Sequence, residues 1–268
     1  MAADTEPGEY ISGTRTAQGY VHFTRQGWVE VTYTVSNGRA LLEGCIYLGK
    51  PEEIEANTKR IQQNKGLLQG DIQHFGVAVN SLGLLWHNKT VPYQIDDGLP
   101  NQERVTAAIA HWRQKVPLLT FVERTPSNQH KYRNWVTFIA GDGCSSSVGC
   151  IGGEQFITLG RECRTGNVIH EIGHAIGLWH EQSRADRDRF VRIVTANIAD
   201  GTEHNFLQHI NDGQDLGDYD YGSAMHYSST AFSKNGKPTI EQLKPGPTIG
   251  QRDGLSAGDV ASVVTLYS

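Results

Sequence analysis

Residues 170–181 read HEIGHAIGLWHE, and the fold turns on how they are read. His170 and His174 stand four apart, which on a helix sets both imidazoles on one face, one turn above the other. Two imidazoles so placed grip one zinc ion. Glu171 lies off that seam yet close enough to reach a water on the metal. Gly177 ends the helix, because without a Cβ it takes the positive φ that helix ends often need, and the chain turns back to bring in His180 as a third nitrogen ligand. Three protein ligands leave one coordination position open, which separates a catalytic zinc from a structural one. The bland alternative is a helix that carries histidines by accident. Five fixed positions, three of them a scarce residue, weigh against it, and the expectation is one Zn2+ per chain.

The stretch resembles the metzincin signature HExxHxxGxxH, which is followed by a Met-turn. More narrowly, HEIGHAIGLWHEQSRADRD is similar to the astacin family, whose third histidine is followed by Glu and then by a later Arg and Asp-Arg. Ser223-Ala224-Met225-His226-Tyr227 resembles that family's S-x-M-H-Y turn, at the family's spacing. The resemblance runs from about Trp86 to the C-terminus and is weak before residue 65. It implies an α+β fold: a two-lobed astacin-like catalytic domain over residues 77–268, with a mixed sheet and the zinc helix; residues 1–76, by their strand alternation, read as a small β-rich segment before it. That segment reads as a pro-segment or an accessory module, and the whole as a bacterial-type member with its pro-segment present.

The activity implied is hydrolysis of peptide bonds within proteins. Zinc lowers the pKa of bound water to ~7 and polarises the scissile carbonyl. Glu171 takes the proton as general base and passes it to the leaving amine. His170, His174 and His180 hold the ion. By resemblance, Met225 is a packing floor beneath the histidines, and Tyr227 is a fifth zinc ligand that swings away to stabilise the oxyanion. Glu181 meets the ammonium of a new N-terminus, which counting places near Val77. Cys144 and Cys163 fall where the family closes a disulfide, whereas its second disulfide has no counterpart, since no Cys follows Cys163. Cys144, Ser145, Ser146 and Ser147 lie where the family has an edge strand, to which a protein or peptide substrate adds in extended form. Leu68-Gln69-Gly70-Asp71 resembles the pro-segment motif F-x-G-D, with Leu for Phe, so Asp71 is the expected latency ligand. Cys45 is its rival, thiolate being the softer donor.

Composition narrows the partners. The chain has 268 residues, 24 basic and 29 acidic, for a formal charge of −5, which argues against nucleic acid or an anionic membrane. No run approaches the ~18 apolar residues of a membrane span. The start MAADTEPGEY has neither the basic head nor the apolar stretch of a signal peptide. A removed signal, another export route and retention inside the cell all fit it; the family resemblance points to a secreted monomer. Two other readings stand beside the protease: a zinc-bound binding module without chemistry, which an intact Glu171 argues against, and a toxin or effector acting inside another cell. Of the four cysteines, Cys45 and Cys150 remain as buried small hydrophobes or as a mutual pair.

Along the chain, Val29, Val31, Tyr33 and Val35 alternate as a strand, Ser36-Asn37-Gly38 reads as a turn, and residues 50–63 read as a helix opening with Pro51. Residues 91–95 are a strand, and Asn101 is expected to cap a helix carrying Val105, Ala108, Ile109 and Trp112. Residues 118–123, 135–140 and 155–159 read as strands, and residues 197–210 as a short helix. Ser256 and Asp259 stand at capping-box spacing before a final helix.

Overall fold

The computed structural model describes residues 10–23, 27–63, 82–209 and 213–268. The N-terminal unit is an antiparallel sheet of four strands in chain order: β1 (Arg15–Phe23), β2 (Gly27–Ser36), β3 (Arg39–Leu42) and β4 (Ile46–Gly49). Asn37 and Gly38 both have positive φ, 47° and 71°, the pairing that a tight hairpin with right-handed twist requires. Helix α1 (Pro51–Gln63) closes one face of the sheet, and Tyr33, Val35, Ala40 and Ile54 are buried between them.

The upper lobe holds a mixed five-stranded sheet. Strands β5 (Thr90–Ile95), β6 (Thr120–Glu123), β7 (Trp135–Ala140) and β9 (Glu154–Leu159) pair in parallel. The two-residue β8 (Cys144–Ser145) pairs antiparallel to β9 at one edge. Helix α2 (Glu103–Lys115) buries the apolar stripe Val105, Ala108, Ile109 and Trp112. The zinc helix, α3 (Thr165–Ile176), is buried from Gly166 onward, in keeping with its place between the lobes. The buried indoles of Trp112 and Trp86 keep partners: Trp112 Nε1 donates to Ile169 O and Trp86 Nε1 to Ala175 O. Cys144 and Cys163 are joined by a disulfide, which ties β8 to the approach of α3, while Cys150 is buried outside any disulfide.

Beyond His180 regular structure is sparse. A short pair, β10 (Val191–Ile193) with β11 (Ile240–Gln242), and a core of Phe206, Tyr219, Tyr227 and Phe232 make the lower lobe. The helix expected over residues 197–210 is not there: single 3-10 turns at Thr195–Asn197 and Glu203–Phe206 are parted by Gly201, whose φ of 83° breaks a right-handed helix. Asn101 does not cap α2 either; it sits at φ 55°, and Gln102 is the residue before the helix. Helix α4 (Ala257–Leu266) does carry the Ser256–Asp259 capping box. Asp259 has a second task, accepting from Ser223 Oγ at 2.6 Å and Ala224 N at 2.9 Å, so the cap of the last helix also fixes the turn that holds Met225.

Candidate metal centre

Gly177 closes α3 at φ 116°, and the reversal brings His180 back beside His170 and His174. Each ring is oriented from behind. His170 Nδ1 donates to Ala224 O at 2.8 Å, and His174 Nδ1 donates to Leu178 O at 2.7 Å. A carbonyl can only accept, so these bonds put the proton on Nδ1 and leave a lone pair on Nε2. Burial, more than any neighbouring charge, keeps all three imidazoles well disposed to the neutral form that ligates. The Nε2 atoms nevertheless converge, His180 lying 3.2 Å from His170 and 3.3 Å from His174. Lone pairs facing at that distance repel unless a cation sits between them.

The fourth corner is sulfur. Cys45 Sγ lies 3.3 Å from His180 Nε2, 3.4 Å from His174 Nε2 and 3.8 Å from His170 Nε2. A tetrahedral zinc with Zn–N of ~2.0–2.1 Å and Zn–S of ~2.3 Å separates its nitrogens by about 3.3–3.4 Å and sulfur from nitrogen by about 3.5–3.6 Å. The four buried donors match that cage. Asp71, the ligand favoured by the sequence, lies outside the described residues; the thiol ranked behind it is the group that stands at the histidines.

Cys45 arrives on the tip of the β3–β4 hairpin. Glu43 and Gly44 both take positive φ, 50° and 70°, and a Cβ on Gly44 would come within 2.6 Å of the Phe232 ring. Only glycine allows the tip so deep. Glu43 had no signal in the sequence beyond its place in a hairpin, yet it is 1 % exposed and heavily engaged. Its carboxylate accepts from His180 Nδ1, from Ser183 Oγ at 2.6 Å and from His209 Nε2 at 2.6 Å. Burial alone would raise that carboxyl, but His209 and His180 beside it outweigh burial and hold it well below the usual carboxylate range. Its carbonyl accepts from Tyr227 Oη at 2.6 Å.

The other residues singled out by sequence are placed around this cage. Glu171 is 1 % exposed on the zinc helix next to His170. Met225 packs under the same helix, where a Cβ on Gly173 would meet its sulfur at 2.6 Å. Ser146 continues the β8 edge but pairs with the N-terminal unit: Tyr47 N donates to Ser146 O at 2.8 Å, and Ser146 N donates to Cys45 O at 2.9 Å. Ser147 Oγ donates to Tyr47 O at 3.4 Å. Glu181 lines a small cavity with Arg184 and Asp259; burial pushes its carboxyl up to about 8 against the pull of Arg184.

Residues 78–268 match the peptidase family described as Astacin. The chain is 40 % identical over 210 residues to zinc metalloproteinase nas-13 of Caenorhabditis elegans, covering 74 % of this chain and 46 % of that protein. It is 36 % identical over 264 residues to zinc metalloproteinase nas-15 of the same nematode, covering 97 % of this chain and 45 % of that protein. The chain thus spans less than half of either relative. Among solved structures, high choriolytic enzyme 1, a hatching enzyme zinc-protease from the medaka fish Oryzias latipes, superposes with a TM-score of 0.61 at 32 % identity, over 70 % of this chain and 96 % of that one. These relatives are animal proteins, which corrects the expectation of a bacterial-type member.

Proposed function

The chain belongs to the astacin family of zinc peptidases, and from that premise we propose that it is a secreted, monomeric zinc endopeptidase held latent by its own N-terminal unit. The observation that carries the proposal is the cage itself. Three histidines come from the catalytic unit, and the thiol of Cys45, from a different unit, fills the corner that hydrolysis needs open. Once the thiol has left, a zinc ion held by His170, His174 and His180 would lower the pKa of a water to ~7 and polarise a carbonyl. Glu171, the residue after the first ligand, is the base that takes the proton and returns it to the departing amine. Tyr227 is engaged by the Glu43 carbonyl while the hairpin is docked; when the hairpin leaves, its hydroxyl is available to a developing oxyanion. Met225 is the floor under the histidines.

Latency is assigned to Cys45 in place of Asp71. The boundary between the units, residues 1–76 and 77–268, falls with the cut near Val77 inside residues 64–81, outside those described. After the cut, the new ammonium pairs with Glu181, whose carboxyl burial pushes up to about 8 in the latent chain and which a second cation beside Arg184 would turn to the anion. The substrate is a protein or peptide that replaces β4 as an extended chain on the Cys144–Ser147 edge. No helix among the described residues is long and apolar enough to cross a membrane.

The test is Glu171→Gln in the processed protein, with casein as substrate. The expected result is loss of hydrolysis with about one zinc per chain retained, because the base is not a ligand. Turnover at the wild-type rate would remove Glu171 from the mechanism. Loss of hydrolysis together with loss of zinc would make Glu171 part of the metal site.

A further inference from the structure

Beside the metal-site residues Cys45 and His180, whose chain neighbours Ile46 and Trp179 line it, the N-terminal unit and the catalytic unit border an open cavity of about 280 Å3. From it we infer that Leu84, Val148, Ile151 and Trp179 form a specificity pocket of this enzyme, which selects a large apolar substrate side chain beside the scissile bond, on the Val148 side of the metal site. The inference rests on the protease reading and adds the substrate class to it.

The register comes from the chain itself. Cys45 marks the metal position along the docked strand, and Ile46 bridges Ser146 in parallel. That pairing uses main-chain groups alone, so it accepts any extended chain and discriminates among none. Discrimination has to come from a wall that meets a side chain. The residue after the metal position supplies the example: Ile46 is 1 % exposed and is buried with Trp179, while Leu48 and Val148 pack partly buried on the same cluster. The N-terminal unit therefore sets two aliphatic side chains against this wall, where a substrate would set its own.

The fit is incomplete. Val21, His22, Ile46, Tyr47, Leu48 and Gly49 around this space belong to the N-terminal unit, so once that unit leaves, the wall of Leu84, Val148, Ile151 and Trp179 is open to a side chain larger than isoleucine. Ile151, on the same wall, is still 52 % exposed with the hairpin docked. His22, the one histidine lining the cavity, departs with the N-terminal unit. What the catalytic unit then presents there is apolar, apart from Ser147. A charged substrate side chain would lose hydration against it with no partner in return, whereas an apolar one gains by leaving water.

The experiment uses full-length protein activated by limited trypsin treatment and a mixed peptide library read by mass spectrometry. Wild type, Val148→Lys and Ile151→Lys are compared, the last altering a half-exposed position that the fold tolerates. Wild type should favour large apolar over polar residues at one position beside the cut by on the order of 10-fold or more. Both lysine variants should lose that preference and shift toward Asp and Glu at the same position. Wild-type cleavage without side-chain preference beside the cut, or lysine variants that cleave the wild-type set unchanged, would overturn the pocket and leave the protease reading standing. A wild-type protein that holds zinc, is processed and cleaves nothing would overturn both.

Discussion

Replacing Cys45 with alanine should wake the uncut chain. The thiol is one of four donors, 3.3–3.8 Å from the three ring nitrogens. A complete structural zinc site is worth about 10–16 kcal/mol at neutral pH, so one donor accounts for ~3 kcal/mol. At 1.36 kcal/mol per factor of ten, the population with an open metal position rises on the order of 100-fold. The gain stops short of full activity, because the hairpin keeps its other holds. Glu43 still accepts from Ser183 and His209, Tyr227 still donates to the Glu43 carbonyl, and Tyr47 and Ser146 keep their main-chain bonds. The assay is hydrolysis of a quenched fluorescent peptide by uncut protein, with electrophoresis to exclude processing and metal analysis to show zinc retained. Asp71→Ala, run beside it, should stay as silent as wild type. A silent Cys45→Ala chain that becomes fully active once processed would refute the thiol latch, and an awakened Asp71→Ala chain would move the latch to that carboxylate.

Two further outcomes follow from the same geometry. Tyr227→Phe in processed protein should lower kcat on the order of 100-fold with little change in KM, since its hydroxyl is proposed to act on charge that develops only in the transition state; steady-state kinetics check this. For Glu181, the folded carboxyl at about 8 lies above its ordinary 4.5, so the folded chain keeps a proton that the unfolded chain releases, and stability falls as pH rises through that window. Glu181→Gln should therefore be near neutral at pH 5 and stabilising at about pH 8.5 in the latent chain, by ~2 kcal/mol after allowing for a side chain 15 % exposed. Thermal melts at the two pH values read the difference.

What the sequence disclosed about the site was local. His170 and His174 are a helix turn apart, and Gly177 is the residue whose φ of 116° returns the chain to His180, so spacing alone defines three ligands. Strand alternation and the Asn37-Gly38 pair were readable for the same reason. Cys45 and Glu43 were harder because they join the site from 125 and 137 residues away, on a hairpin whose tip carries no pattern that names its destination. Asp71, favoured for lying near the catalytic unit in sequence, falls outside the described residues, and the thiol that stands at the histidines comes on a β-hairpin farther up the chain. The β8 edge is a two-residue strand because Ser146 spends its main-chain groups on Cys45 and Tyr47 of the other unit. Residues 197–210 carry helix-forming residues around Gly201, and the tertiary fold uses that glycine as a break.

In the proposed latent chain, three imidazoles and one thiolate hold the zinc ion. Zinc K-edge X-ray absorption of the uncut full-length protein measures that donor set directly. The expected spectrum fits one sulfur at ~2.3 Å with three nitrogens at ~2.0–2.1 Å, and the sulfur shell disappears in Cys45→Ala and after processing. A latent wild-type chain whose zinc shows only nitrogen and oxygen neighbours would contradict it.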